Sequence, residues 1–211
     1  MTYLILDIAT YVPILIAISG LCLVINKFKL YNIKDKTLLL YLLMSVGLDI
    51  TSRLFSFFYG SNLIFININS LTELLFLIFY IKQFSKRPQP LITAVFVAVL
   101  MFNFFELLTI DFNDFETFQT YSKTINSLFT LLLFIYYTIK NIRDFKANIP
   151  YKLNLIFITY FSISIVVNLP LNFLVNEAYR SVLFIWFINI INVSILYSSI
   201  IYSLYNKKNT L

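Results

Sequence analysis

Seven stretches of mostly apolar residues, each about 20 residues long, recur along this chain, separated by short segments rich in charged or turn-forming residues. They run approximately from Tyr3 to Ile25, Thr37 to Tyr59, Leu63 to Ile81, Leu91 to Ile110, Tyr121 to Ile139, Tyr151 to Val175 and Val182 to Tyr205. A helix of about 20 residues crosses the roughly 30 Å hydrocarbon core of a bilayer while satisfying its own backbone polar groups. The pattern therefore predicts an all-α integral membrane protein, a seven-transmembrane-helix bundle forming a single domain over residues 1–211. Composition points the same way: 60% of residues are hydrophobic and only 12% charged, whereas about a quarter carry charge in ordinary soluble domains.

Orientation follows from where the basic residues fall, because cytoplasmic loops retain Lys and Arg. Lys27, Lys29, Lys34 and Lys36 follow the first stretch, Lys82, Lys86 and Arg87 the third, and Lys140, Arg143, Lys146 and Lys152 the fifth. With Lys207 and Lys208 in the tail, thirteen of the sixteen basic residues share one side. The alternate loops carry Asp111, Asp114, Glu116 and Glu177, with only Lys123 and Arg180 near their edges. The N-terminus is thus expected outside and the C-terminus in the cytoplasm, as for a bacterial inner-membrane protein. The net charge of +6 is read as topology rather than as a nucleic-acid footprint. The first stretch is expected to stay attached, since it lacks a basic leader and carries Asp7.

The absence of histidine removes the commonest general base and the commonest metal ligand, and the single cysteine, Cys22, precludes an internal disulfide. Serine–histidine hydrolysis and histidine-ligated zinc chemistry are excluded on this ground. Paired aspartates are missing too, since Asp49 is the one aspartate at mid-membrane depth. No lysine occurs in the middle of the seventh stretch to carry a retinal Schiff base. No connection exceeds about a dozen residues, which leaves no room for a soluble catalytic domain. The chain is therefore expected not to be an enzyme, and to hold no metal or cofactor.

Ionisable residues inside a span are costly and by default mark function. Four stand out: Asp49 and Arg53 on the second helix, Glu73 on the third and Glu106 on the fourth. Asp49 and Arg53 are four apart, with the carboxylate first, which is the favourable order for an intrahelical pair. Together with Ser45, Ser52 and Ser56 they form a stripe that must face protein rather than lipid. Asn69 joins Glu73, and Asn103 joins Glu106. Lys123 and Asn126 begin a stripe on the fifth helix, Tyr160, Ser164 and Asn168 form one on the sixth, and Asn189 and Asn192 one on the seventh.

Counting 1.5 Å per residue from the helix ends puts Asp49 and Glu73 about 15 Å from the outer surface, and Glu106, Asn126, Asn168 and Asn189 within about 12 Å. These groups are expected to converge on an outward-facing acidic pocket, with Asp49, Glu73 and Glu106 set against Arg53 and, if it reaches in, Lys123. An interhelical network that only fixes packing is the competing explanation. Pro170, between Asn168 and Asn172, is a candidate hinge. Trp186 is expected to anchor the outer interface.

The segments NSLTELLFLIFY (residues 69–80) and WFINIINVSILYSSIIYSLY (residues 186–205) give the chain a resemblance to small bacterial seven-helix membrane modules fused to histidine kinases as sensors. That resemblance implies sensing, with Glu73 as the polar position carried over. The 211 residues include no kinase region, so such a sensor is expected to act through a separate membrane or cytoplasmic partner. A proton- or cation-coupled small-solute transporter is the runner-up, and an accessory or pore-forming subunit a third possibility.

Overall fold

The computed structural model describes residues 8–59, 62–83, 89–109, 120–143, 151–174 and 179–206. These form seven α-helices, with no strand among them: α1 (Val12–Val24), α2 (Ile33–Tyr59), α3 (Leu63–Lys82), α4 (Pro90–Thr109), α5 (Ser122–Arg143), α6 (Tyr151–Leu174) and α7 (Tyr179–Tyr205). A 3-10 segment, Ile25–Leu30, follows α1. Each helix occupies one of the seven apolar stretches. Asp7, Lys86, Arg87, Asp111, Asp114, Glu116, Lys146, Glu177, Lys207 and Lys208 lie outside the described residues.

Helix boundaries follow local chemistry where hydropathy alone misjudges them. α2 begins at Ile33 rather than Thr37 because the Asn32 side chain caps it: its Oδ1 accepts the Asp35 N–H at 3.0 Å. Lys34, Asp35 and Lys36 form a charged first turn that an apolar scan leaves out. Pro90 opens α4, at the position where a missing N–H costs nothing.

Six of the seven helices are long and apolar enough to cross a membrane. The exception is α5, for a reason visible in its packing. Ser122, Asn126, Ser127, Thr130 and Thr138 are all buried, and the helix lies against α3, α4 and α6. These polar side chains fill its inner face, while Leu128, Leu132, Ile139 and Ile142 lie on the outside of the bundle, so α5 is strongly amphipathic and less apolar over its whole length.

Cross-links between helix ends define an up-and-down bundle. Gln83 at the end of α3 donates to Thr37 near the start of α2 at 2.8 Å. Asn154 near the start of α6 donates to Thr138 near the end of α5. Lys27, just after α1, donates to the Tyr205 carbonyl that ends α7 at 3.1 Å, so the first and last helices run in the same direction. Helices α1, α2, α3, α5, α6 and α7 close a ring in that order, and α4 packs outside it against α3 and α5.

The apolar core fills the half of the ring nearest the lysine-bearing ends. Leu38, Leu42, Leu77, Phe157, Leu196 and Ile200 are almost completely buried there. Phe157 stacks on Phe134 with ring centroids 4.7 Å apart. The α1–α7 seam is tight at Gly20: a Cβ there would stand 2.1 Å from Ile201 Cδ1 and 2.9 Å from its Cγ2. Because Cγ2 sits on the branched carbon, rotating the chain end does not clear the contact. Gly20→Ala is therefore expected to cost about 1–3 kcal/mol, measured by unfolding in detergent. Adding Ile201→Ala should recover part of that loss; a double variant no more stable than Gly20→Ala would show that the seam is not limited by this contact.

Candidate functional site

The other half of the ring encloses a cavity of about 610 Å³, bordered by α1, α2, α3, α5, α6 and α7. Each helix contributes through the polar stripe that its 3.6-residue period puts on one face. Helix α2 supplies Tyr41, Ser45, Asp49, Ser52 and Arg53; the first three are four residues apart and the last two lie three and four beyond Asp49, so all share one face of the helix. Helix α3 adds Asn69 and Glu73, and α7 adds Trp186, Asn189 and Tyr197. Lys123 projects from the first turn of α5 and Tyr160 from α6.

At the mouth, the Arg53 guanidinium meets Asp49 Oδ2 at 3.5 Å. It also donates to the Thr10 carbonyl at 2.8 Å and lies 4.2 Å from the centre of the Tyr11 ring. Arg53 is thereby committed to tying α2 to the beginning of α1, through a charge-assisted hydrogen bond and a cation–π contact. Nearby, Asn62 donates to Ser52 at 3.1 Å, which draws the α2–α3 corner together.

Deeper in, Tyr41 donates its hydroxyl proton to Glu73 Oε1 at 2.9 Å. The Tyr160 hydroxyl approaches the same carboxylate, and Lys123 is close enough for its charge to act on it. Tyr197 packs edge-on against Tyr41. Beyond these rings lies the apolar core, so the polar volume ends in a wall of tyrosines backed by leucine and phenylalanine.

Of the residues singled out from sequence, Asp49, Arg53, Glu73, Asn69 and Asn189 are brought together here, while Asn103, Glu106, Asn126, Asn168 and Asn192 are not part of the lining. Glu106, although buried, faces the α4–α5 junction. Its Oε1 accepts the Tyr121 N–H at 2.6 Å, and its Oε2 accepts the Ser122 N–H at 2.8 Å and the Ser122 hydroxyl. The carboxylate therefore occupies the N-terminus of α5, where free amides and the helix dipole favour an anion.

Asn103 and Asn126 exchange amide hydrogen bonds at 2.8 and 2.9 Å, and Asn126 also donates to Ser70 at 2.8 Å, joining α4, α5 and α3. Asn192 donates to the Tyr160 carbonyl at 3.0 Å and to Ser164 at 3.3 Å, joining α7 to α6. Asn168 is buried away from the cavity. Helix α6 continues through Pro170 to Leu174. Cys22 faces the exterior of the bundle.

The charge balance changes accordingly. Three carboxylates against one arginine, as counted along the chain, become two acids and two bases, because Glu106 caps α5 while Lys123 enters the cavity. Tyr41 lines the cavity although it falls outside the stripe read from sequence; it lies four residues before Ser45 and continues the same line. Thr10 carried no such signal, since it reaches Arg53 only through the folding of α1 onto α2. No cluster of three or more potential metal ligands occurs among the described residues. Comparison with protein-family models, with curated proteins and with solved structures returns no match.

Proposed function

We propose that the chain is a seven-span sensor or ligand-binding protein of a bacterial inner membrane. Its N-terminus and cavity mouth face outward, and it passes its state to a partner protein. The observation that carries this reading is the cavity itself: a polar volume bearing Asp49, Arg53, Glu73 and Lys123, inside helices that are otherwise apolar. Intramembrane charges are expensive and persist where they pair with one another or with backbone, or where they mark a binding site or pathway. Two further features support the reading. The clustering of basic residues at the opposite end favours a cytoplasmic location for that end. The tyrosine wall and dry core beyond Glu73 favour a closed receptor over a through-going path.

The test is thermal unfolding of the detergent-purified chain against a panel of small amines, acids, zwitterions and neutral solutes, paired with uptake assays in proteoliposomes. A true ligand present at one hundred times its Kd raises stability by about 2.7 kcal/mol, and no flux accompanies it. Glu73→Gln should abolish that ligand-dependent gain while leaving the unliganded protein at least as stable as the parent, because a carboxylate kept for binding is held at a cost. Solute accumulation inside the vesicles would assign the chain to transport instead. A panel without any stabilising compound would remove the binding reading altogether.

A further inference from the structure

The cavity's four charges are not equivalent. Arg53 and Asp49 answer each other at the mouth, and the guanidinium is further occupied by the Thr10 carbonyl and the Tyr11 face. That pair is part of the wall. Glu73 and Lys123 stand differently. They come from α3 and α5, line the same volume and act on each other electrostatically, yet among the described residues they make no ion pair with one another. Glu73 holds the Tyr41 hydroxyl, while Lys123 makes no hydrogen bond among the described residues. An anion and a cation facing one enclosed space without touching are each left short of compensation, which a guest can supply.

We propose that the cavity takes a small zwitterion of the α-amino-acid class, with its ammonium on Glu73 and its carboxylate on Lys123; this rests on the binding reading above. An amino acid carries opposite charges on neighbouring groups, so one molecule can answer both protein charges and leave the site neutral. A simple cation or a simple anion would satisfy one and strand the other. The neighbouring polar groups suit the two ends. Asn69 lines the same volume and offers an amide to a guest, and the Tyr160 hydroxyl flanks Glu73. Lys123 projects into the volume from the first turn of α5, whose terminal amides are already held by Glu106, so its ammonium is the cationic group offered to a guest carboxylate there. The lining also holds Val46, Phe65, Trp186, Ile190 and Val193, apolar and aromatic surface on which an apolar side chain can pack, with neutral hydroxyls and amides between them and no further charge to answer a charged side chain.

The experiment measures binding of the twenty amino acids, one at a time, to the full chain in detergent. For the tightest binder it then adds the amine lacking the carboxylate and the N-acetyl derivative lacking the ammonium. An apolar amino acid should bind best, and each truncated analogue should bind about tenfold or more weakly, the cost of a lost charge-assisted contact. Lys123→Gln should equalise the amino acid with its decarboxylated amine, and Glu73→Gln should equalise it with its N-acetyl form. A role limited to packing would lower all affinities together and leave these ratios unchanged. An amine, an acid or a neutral compound that outbinds every zwitterion would overturn the amino-acid inference and leave the pocket standing. Ratios unmoved by both substitutions would overturn the inference as well. The absence of binding in every charge class would overturn both readings.

Discussion

Glu106→Ala is expected to destabilise the protein by about 2–4 kcal/mol, since an unsatisfied buried donor costs about 1–3 kcal/mol and the buried Ser122 N–H and hydroxyl lose their acceptor along with the part-buried Tyr121 N–H. The residue is only 6% exposed, so water cannot easily replace the carboxylate. The Ser122 amide, now satisfied at 2.8 Å, would point into the junction between α4 and α5 unanswered, and the part-buried Tyr121 amide would lose its acceptor at 2.6 Å. The hydroxyl of Thr120, which donates to Asn67 Oδ1 at 2.6 Å, binds the same corner to α3, so the loss should loosen three helices together. Glu106→Gln keeps an acceptor but not the charge that complements the helix dipole, and should cost about 1–2 kcal/mol. Denaturant or SDS titration of the purified chain gives both values. An alanine variant within about 0.5 kcal/mol of the parent, the usual range of a neutral surface change, would mean that the carboxylate is not a structural cap. Since Glu106 lies outside the cavity, its removal should leave the affinity for any ligand found there unchanged in the protein that remains folded.

The second large effect is expected at Phe157, which is completely buried. Its ring stacks on Phe134 and leans against Tyr80 with centroids 5.9 Å apart, so it joins α3, α5 and α6 in the dry half of the ring. Within a bilayer, transfer from water is not what holds helices together, because lipid tails are as apolar as the core. Close packing is. Phe157→Ala removes the dispersion contacts of a whole ring and leaves a void that its aromatic neighbours fill only partly, at a cost of about 3–5 kcal/mol. Phe157→Leu keeps most of the volume and should cost under about 1.5 kcal/mol. Equal losses for alanine and leucine, measured in the same titration, would show that ring geometry rather than filled volume stabilises this layer.

Both residues mark the limit of reading along the chain. Phe157 is one of twenty-three phenylalanines, and nothing in its local pattern sets it apart from those on the outside of the bundle, such as Phe104 or Phe184. Glu106 does stand out, as a charge inside an apolar run, but that signal says only that it must be satisfied. Whether a ligand, a cation or a helix end satisfies it depends on which helix its own helix lies against.

The sequence by itself determined the helices. Hydropathy over about 20 residues, prolines at helix starts and the Asn32 cap are local properties, so all seven elements lie where the pattern puts them. It also determined which face of each helix is polar, because Asp49 and Arg53 share a face through the 3.6-residue period alone and meet at 3.5 Å. Only the tertiary structure decided which polar faces look at one another. The ring places α3 beside α5 and leaves α4 outside, an order set by how side-chain surfaces fit and not encoded in the period of any single helix. That order turns Glu106 toward the end of α5 and admits Lys123 to the cavity opposite Glu73. Periodicity is a property of one helix, whereas a site with two acids and two bases is a property of several helices packed together.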